Sequence, residues 1–418
     1  MLDYIRKLWK IAELRNKILY TFGMLLLFRL VGCIPAPGID LTRLGMGGTD
    51  LPLLDIMNMM TGGAMSQMTI MAMGISPYIN SSIIMQLLCI ALPVLERMQQ
   101  EEGGREKINR ISRYVTIGLA LIQAIGLSNG LGYAKDGLWN NILIGVSKAG
   151  GTALAMWIGE RITEKGIGNG ISLLIFAGIV SNLFNGILNG FRTAGSISTY
   201  ISAAALLVLL VILTFVVTYV DLGERRIPLQ IAKQVKGRRV YGGQNTHMTL
   251  KVISVGVMPL IFAYSFLSFP GTIGQLVAPH SGFTAWCNAN LVNGAWVHLI
   301  LSALLIFAFT FFYSSISFDA KKQAEQLQQQ GATIPGRRGK DIASYLQRTT
   351  NRLNLFAALF LAVLAAIPTL MLSGLSLQVP FAASSMLIAV SVSLETMRTI
   401  KGEMAIRGIE SDKDNGFM

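Results

Sequence analysis

Few side chains in this chain could make or break bonds, and their spacing argues against an active site. Cys33, Cys89 and Cys287 are an odd number with neither disulfide nor metal-ligand spacing. Cys33 and Cys89 fall in apolar runs, so the cysteines read as small packing residues. His247, His280 and His298 are too scattered for a metal cluster. Gly166-Ile167-Gly168-Asn169-Gly170 resembles a phosphate loop, but no strand precedes it and no Lys-Ser/Thr pair follows, so it reads as a tight turn entering a helix. Neither a G-x-S-x-G elbow nor a Walker A sequence is present. The expectation is a non-enzyme with no cofactor and no metal, driven by energy from elsewhere.

What remains is the chemistry of surfaces. Ile75, Ile79 and Ile83 recur every four residues and give one greasy helix face, while Asn80, Ser81 and Gln86 make the same segment more polar than lipid requires. Gly74-Ile75-Ser76-Pro77-Tyr78-Ile79 and Gly256-Val257-Met258-Pro259-Leu260-Ile261 both read G-x-x-P-x-I. Paired segments marked by Gly and Pro point to a pathway at a repeat interface, although Gly and Pro are also common in membrane helices and the pairing could be chance.

These residues need a scaffold, and charge patterning supplies it. Thirty of the 35 Lys and Arg residues lie in residues 1–17, 96–113, 161–166, 221–251, 318–352 and 398–418. The intervening gaps are assigned only Arg43, Lys135, Lys148 and Arg192, and Arg29 sits inside a span. Cytoplasmic loops keep Lys and Arg, so this alternation predicts ten spans with both termini cytoplasmic. Composition agrees, with 52% hydrophobic and 14% charged residues and a mean hydropathy of +0.54. Runs of about 20 apolar residues cross a bilayer. They are placed near 18–34, 75–95, 115–132, 141–159, 169–190, 197–220, 252–271, 296–317, 353–372 and 376–397. The first run lacks an A-x-A site and is followed by nine more, so it reads as a span and not a cleaved leader. The repeated motif occupies matching places if the chain is two five-span halves joined near 192–197.

Transporters coupled to ions or protons need ionisable groups in the membrane, and here Arg29 and Glu395 are the ones read inside or near span ends. A proton-coupled carrier is therefore disfavoured. Arg29 itself reads as a snorkelling or carbonyl-capping side chain. Residues 57–68, Met57-Asn58-Met59-Met60-Thr61-Gly62-Gly63-Ala64-Met65-Ser66-Gln67-Met68, are too polar and Gly-broken to cross a bilayer and must sit within protein or at an interface. Flexible Met side chains suit a removable stopper, and a fixed re-entrant turn is equally open. Loop 221–251 carries Arg225, Arg226, Arg238 and Arg239 around Val240-Tyr241-Gly242-Gly243, a β-hairpin or helix-turn element. Loop 318–352 carries Arg337 and Arg338. With a net charge of +13, such clusters attract anionic lipid, acidic protein or RNA phosphate; positive-inside retention suffices for the basic residues near span ends and accounts less well for the tips of loops this long.

Over essentially its whole length the chain resembles the SecY/Sec61-alpha family. The resemblance rests on Arg29-Leu30-Val31-Gly32 with Ile34-Pro35-Ala36-Pro37-Gly38-Ile39-Asp40, Gly62-Gly63-Ala64, Pro77-Tyr78-Ile79 and Ile83-Ile84-Met85-Gln86-Leu87-Leu88. It extends through Glu164-Lys165-Gly166-Ile167-Gly168-Asn169-Gly170-Ile171-Ser172, Glu224-Arg225-Arg226-Ile227-Pro228, Gln244-Asn245-Thr246-His247 and Leu250-Lys251-Val252.

The resemblance implies an all-α polytopic membrane protein, ten transmembrane helices in two pseudo-symmetric five-helix halves around a central pore. The halves would be residues 1–192 and 193–418. It implies a protein-conducting channel in the bacterial cytoplasmic membrane, opening sideways to lipid between the second and seventh spans. By motif, the constriction would be Ile75, Ile79, Ile171, Ile175, Ile261 and Ile388. The plug would be about 57–70, with Met57, Met59, Met60, Gly62, Gly63, Ala64 and Met65. The lateral gate would include Asn80, Ile83, Gln86, Ser265 and Phe269, with signal sequences intercalating beside Asn80 and Phe269. Implied partners are SecE, SecG, the SecA ATPase and the ribosome, with SecA or the ribosome docking on Arg225, Arg226, Arg238, Arg239, Arg337 and Arg338. The family commonly has P-G-x-R-P-G in the second loop, and Pro335-Gly336-Arg337-Arg338-Gly339-Lys340 lacks the second proline. Other readings are an accessory member of the family with a restricted substrate set, a repeat-built secondary transporter whose sites should be charged, and a lipid-binding scaffold.

Overall fold

The structure, a computed structural model, describes residues 11–39, 61–130, 137–192, 211–231, 234–236, 239–241, 245–253, 258–278, 281–291, 295–336, 340–375 and 383–406, with Trp9, Asn58, Val208 and Gly256. In the first part of the chain the helices are α1 (Ala12–Val31), α2 (Ser76–Ala91), α3 (Pro93–Gln100), α4 (Gly104–Gly130), α5 (Leu138–Lys165), α6 (Gly170–Arg192) and α7 (Val211–Asp221). They continue with α8 (Met258–Val277), α9 (Gly282–Asn290), α10 (Trp296–Ser317), α11 (Ala320–Gln329), α12 (Lys340–Leu375) and α13 (Ala383–Ile406). All but α3, α9 and α11 stand where the ten spans are expected.

Stretches of α4, α5, α10 and α12 are long and apolar enough to cross a bilayer on their own. The second span is shorter than its apolar run, because the chain bends by 105° between α2 and α3. The break falls at Leu92, which is extended because the residue before a proline disfavours helical backbone, while Pro93 starts the next helix without needing its missing N–H. Large apolar side chains such as Phe215 (72% exposed) and Ile300 (63%) face outward, as a hydrocarbon solvent allows. Trp139 and Trp296, at helix starts and similarly exposed, suit the membrane interface.

In the first half α1 packs on α5 and α6, α4 on α2 and α5, and α5 on α6. In the second, α8 packs on α10, α10 on α12, and α12 on α13. The halves meet along two seams. At the front α8 lies against α2 and α4, and at the rear α13 lies against α6. An ion pair of 2.7 Å from Lys17 to Glu403 also joins α1 to α13.

On the basic side, the two long loops fold into one small unit. Strands β1 (Glu224–Ile231) and β4 (Asn245–Lys251) pair antiparallel from Glu224↔Lys251 to Gln230↔Asn245, and β2 (Gln234–Lys236) pairs with β3 (Arg239–Tyr241). Of the β-hairpin and the helix-turn element that the first loop allowed, it forms the hairpin. The second loop adds β5 (Ala332–Thr333) to the free edge of β1. Ile227, Leu229 and Leu250 then share a core with Ala324, Leu327, Ile342 and Leu346. Asp319 caps α11 by accepting from the backbone of Lys321 and Lys322 at 3.0 and 3.3 Å.

One expectation is corrected. Lys148, assigned to a gap between spans, lies within α5 with its side chain fully buried (0% exposed). The charge alternation is unaffected, since the gaps are then left with Arg43, Lys135 and Arg192.

Candidate functional site: constriction, plug segment and seam

Local chemistry sets each isoleucine in place. Gly74 and Gly256 both have positive φ (+50° and +64°), which lets the chain turn sharply into α2 and α8. Pro77 and Pro259 sit in the first turns of those helices, where a missing N–H costs nothing. Both G-x-x-P-x-I segments therefore place a positive-φ glycine two residues before the helix and a proline second in it. Ile75 precedes α2, Ile79 follows one turn on, and Ile261 lies in the first turn of α8.

The glycine run at 166–170 is a tight turn entering a helix, as expected. Asn169 accepts from the backbone of Ile171 and Ser172 at 3.1 and 3.3 Å, capping α6. A Cβ on Gly170 would fall 1.9 Å from the Gly159 carbonyl oxygen, so only glycine lets α6 approach α5 so closely. This turn sets Ile171 and Ile175 in the first two turns of α6.

Five of these isoleucines, Ile75, Ile79, Ile175, Ile261 and Ile388, are buried in one apolar cluster, and Ile171 packs against it. The residues come from α2 and its entry, α6, α8 and α13, two segments from each half. Such a patch offers no hydrogen bonds to water or ions, so a pore narrowed by it dewets.

The expected plug segment sits over the same cluster. Met57, Met59 and Met60 lie outside the described residues, while Asn58 and residues 61–75 are described. The segment is a series of turns, with Gly62 and Gly63 at φ +70° and +91°. Ala64 joins the isoleucine cluster. Met65, Met68 and Met73 pack in a second one with Ala36, Ile39, Ala124, Leu127 and Ile144. The backbone of 68–70 is tied to the end of the first span, with Ala36 N donating to Met68 O (3.1 Å) and Ile70 N to Ile34 O (3.0 Å).

Arg29 caps carbonyls, one of the two readings its position allowed. Its guanidinium donates to Gly62 O at 3.2 Å, Ala177 O at 2.5 Å and Gly178 O at 3.4 Å. A cation at membrane depth costs about 2.5–3.5 kcal/mol by insertion scales, and main-chain acceptors offset that cost. Asn182, also on α6, donates to Asn58 O at 2.9 Å. Lys148 Nζ donates to Ser128 Oγ at 2.9 Å and Met68 Sδ at 3.3 Å. Nothing local in the sequence pointed to Ser128 as the partner of Lys148 or to Asn182 as a donor to Asn58.

At the front seam Ile83 and Ser265 are buried, and Asn80, Gln86 and Phe269 are half-buried, on the two helices that pack together. Ser81 donates to the Ser112 carbonyl oxygen at 2.8 Å, fastening α2 to α4. Among the described residues, Gln86 Oε1 is buried without a hydrogen-bond partner. Cys89 and Cys287 are buried, consistent with packing roles, but Cys33 is exposed at the end of α1. Arg225 and Arg226 are exposed on β1, and Arg239 lies on β3. Arg238, Arg337 and Arg338 lie outside the described residues.

Fold and site together define a class: a polytopic helical membrane protein of two five-helix halves around a buried cluster of isoleucines and other apolar side chains. The SecY family model matches residues 69–397, and the chain belongs to that family. It is 37% identical over 428 residues to the protein translocase subunit SecY of Escherichia coli strain K12, covering 98% of this chain and 96% of the relative. It is 35% identical over 434 residues to that of Streptomyces scabiei, covering 98% and 99%. Among solved structures it is similar to a protein-conducting channel, with a TM-score of 0.69 at 18% identity and 95% of both chains covered. Sec61 in a canine ribosome–channel complex matches with a TM-score of 0.66 at 17% identity, again over 95% of both.

Proposed function

We propose that the chain is the protein-conducting subunit of a translocase, passing unfolded secretory polypeptides across the bacterial cytoplasmic membrane and releasing apolar segments sideways into lipid. What supports this reading most is that six isoleucines from both halves belong to one apolar cluster or pack against it, with the plug segment's Ala64 in the same cluster. A ring of branched apolar side chains blocks ions yet yields around a moving chain, because it offers no hydrogen bonds that would trap the chain. In this reading residues 57–70 close the pore from the extracytoplasmic side, and the halves 1–192 and 193–418 part between α2 and α8. A signal helix enters beside Asn80 and Phe269, and both termini are cytoplasmic.

The chain carries no catalytic step of its own here, so the work comes from a partner. The folded basic unit built on β1, β4, β5 and α11 is the docking face for SecA or a ribosome, with SecE bracing the halves and SecG alongside. The test is reconstitution of the full chain with SecE and SecA, in which a preprotein should become protease-protected. Failure with a stably inserted complex and a competent preprotein would sink the reading.

The docking face is tested separately by Arg338→Glu. Like-charge juxtaposition at an interface costs several kcal/mol, so partner-stimulated transport should be lost while insertion and SecE binding persist. Arg337→Glu should be milder. Normal export by Arg338→Glu would leave these arginines a topological role only.

A further inference from the structure

The plug segment is fastened at both ends by polar contacts, and the contacts are of two kinds. Its trailing end, residues 68–70, is paired by backbone hydrogen bonds with residues 34–36, and Lys148 reaches Met68 from α5. That end is a hinge. Toward its leading end, Gly62 and Asn58 are held by side chains reaching in from spans: Arg29 of α1 on Gly62 O, and Asn182 of α6 on Asn58 O.

The fit at Gly62 is close. A Cβ there would lie 2.0 Å from Arg29 Nη1, and the residue's φ of +70° independently favours glycine. The same guanidinium holds Ala177 O and Gly178 O, so one cation bridges α1, the plug segment and α6. Every polar tether named here comes from the first half. The second half meets the plug segment through the apolar cluster that contains Ala64, Leu260 and Ile261. Apolar contacts are non-directional and slide, whereas charge-assisted hydrogen bonds must break.

We propose that Arg29 is the latch of the plug: it keeps the plug seated on the first half, so that parting of the halves and removal of the plug are separate events. This rests on the plug reading of residues 57–70 given above. When the front seam opens, the plug travels with α1 and α6. It leaves only when Gly62 O is released from Arg29 and Asn58 O from Asn182, swinging about the 68–70 hinge. Because Arg29 grips a main-chain oxygen, the side chains of the plug are free of this constraint, and Gly62 alone is dictated by it.

The experiment measures ion leak through the reconstituted full-length channel complex with α2 and α8 locked by a disulfide between Asn80→Cys and Phe269→Cys. The three native cysteines are replaced in this background. Arg29→Met keeps the length and removes the donors. Losing charge-assisted hydrogen bonds should raise resting leak about tenfold or more, even with the seam locked. Asn182→Leu should raise it less, and Arg29→Lys should restore part of the seal.

Deleting residues 57–67 is the reference. If the deletion itself does not leak, the plug reading fails. If the deletion leaks and locked Arg29→Met and Asn182→Leu stay tight, the latch is overturned while the plug stands. Arg29→Met must also add no leak in the plug-deleted channel. Additional leak there would show that Arg29 merely supports the packing of α1 on α6, and would overturn the proposal as well.

Discussion

The front and rear seams join the same two halves with different chemistry. At the front, α8 meets α2 and α4, and the isoleucine cluster runs through the junction with Ile79, Ile83, Leu260 and Ile261. At the rear, α13 meets α6 through Ile175, Ile179, Ile388 and Val392 of the same cluster, but there Lys17 also pairs with Glu403 at 2.7 Å beside a second cluster of Leu14, Ile167 and Met404. An apolar junction between membrane helices has little to lose on opening, since lipid or an apolar helix can replace one face by the other. An ion pair specifies one partner and one distance. In the proposed reading the front parts and the rear, with its added ion pair, pivots.

The largest expected effect comes from locking each seam in turn. A disulfide between Asn80→Cys and Phe269→Cys, in a background without Cys33, Cys89 and Cys287, should block export until it is reduced. A disulfide between Lys17→Cys and Glu403→Cys should leave export near the rate of the reduced protein. Protease protection of a preprotein measures both. Equal inhibition by the two locks would erase the distinction between seams.

Weakening the isoleucine cluster itself, which both seams share, should be smaller in effect but opposite in sign. Ile261→Asn or Ile388→Asn places an amide in the constriction, wets it, and should raise ion leak and admit preproteins with defective signal sequences. Unchanged leak together with unchanged rejection would count against the assigned ring.

The smallest effect concerns the packing inside the first half. Lys148 is buried with Ser128 Oγ and Met68 Sδ as its hydrogen-bond partners. Apolar replacement of buried ionic groups is often neutral or stabilising by about 1–4 kcal/mol, so Lys148→Met should hold or raise the thermal midpoint of the detergent-solubilised complex. A clearly lowered midpoint would mean that these hydrogen bonds outweigh the cost of burying the amine.

What sequence alone determined here is what local forces control. Ten apolar runs separated by alternating charge, the turn at 166–170, the shared G-x-x-P-x-I entries to α2 and α8, and the hairpin in the first loop all depend on neighbours a few residues apart. Their backbone preferences and hydropathy can be read in order along the chain. Motif resemblance extended that reading to the six isoleucines, but periodicity by itself marked only those of the second span.

Tertiary structure decided which distant groups meet. Arg29 could have snorkelled to head groups, and finds instead the carbonyl oxygens of Gly62, Ala177 and Gly178, two of them about 150 residues away. Lys148, one charge in an apolar run, is placed beside Met68, 80 residues earlier. Two loops that read as separate basic tips share one sheet because β5 completes the edge of β1. Each of these depends on side chains and strand edges satisfying one another across the fold, where an unpaired polar group is costly and no local pattern names its partner.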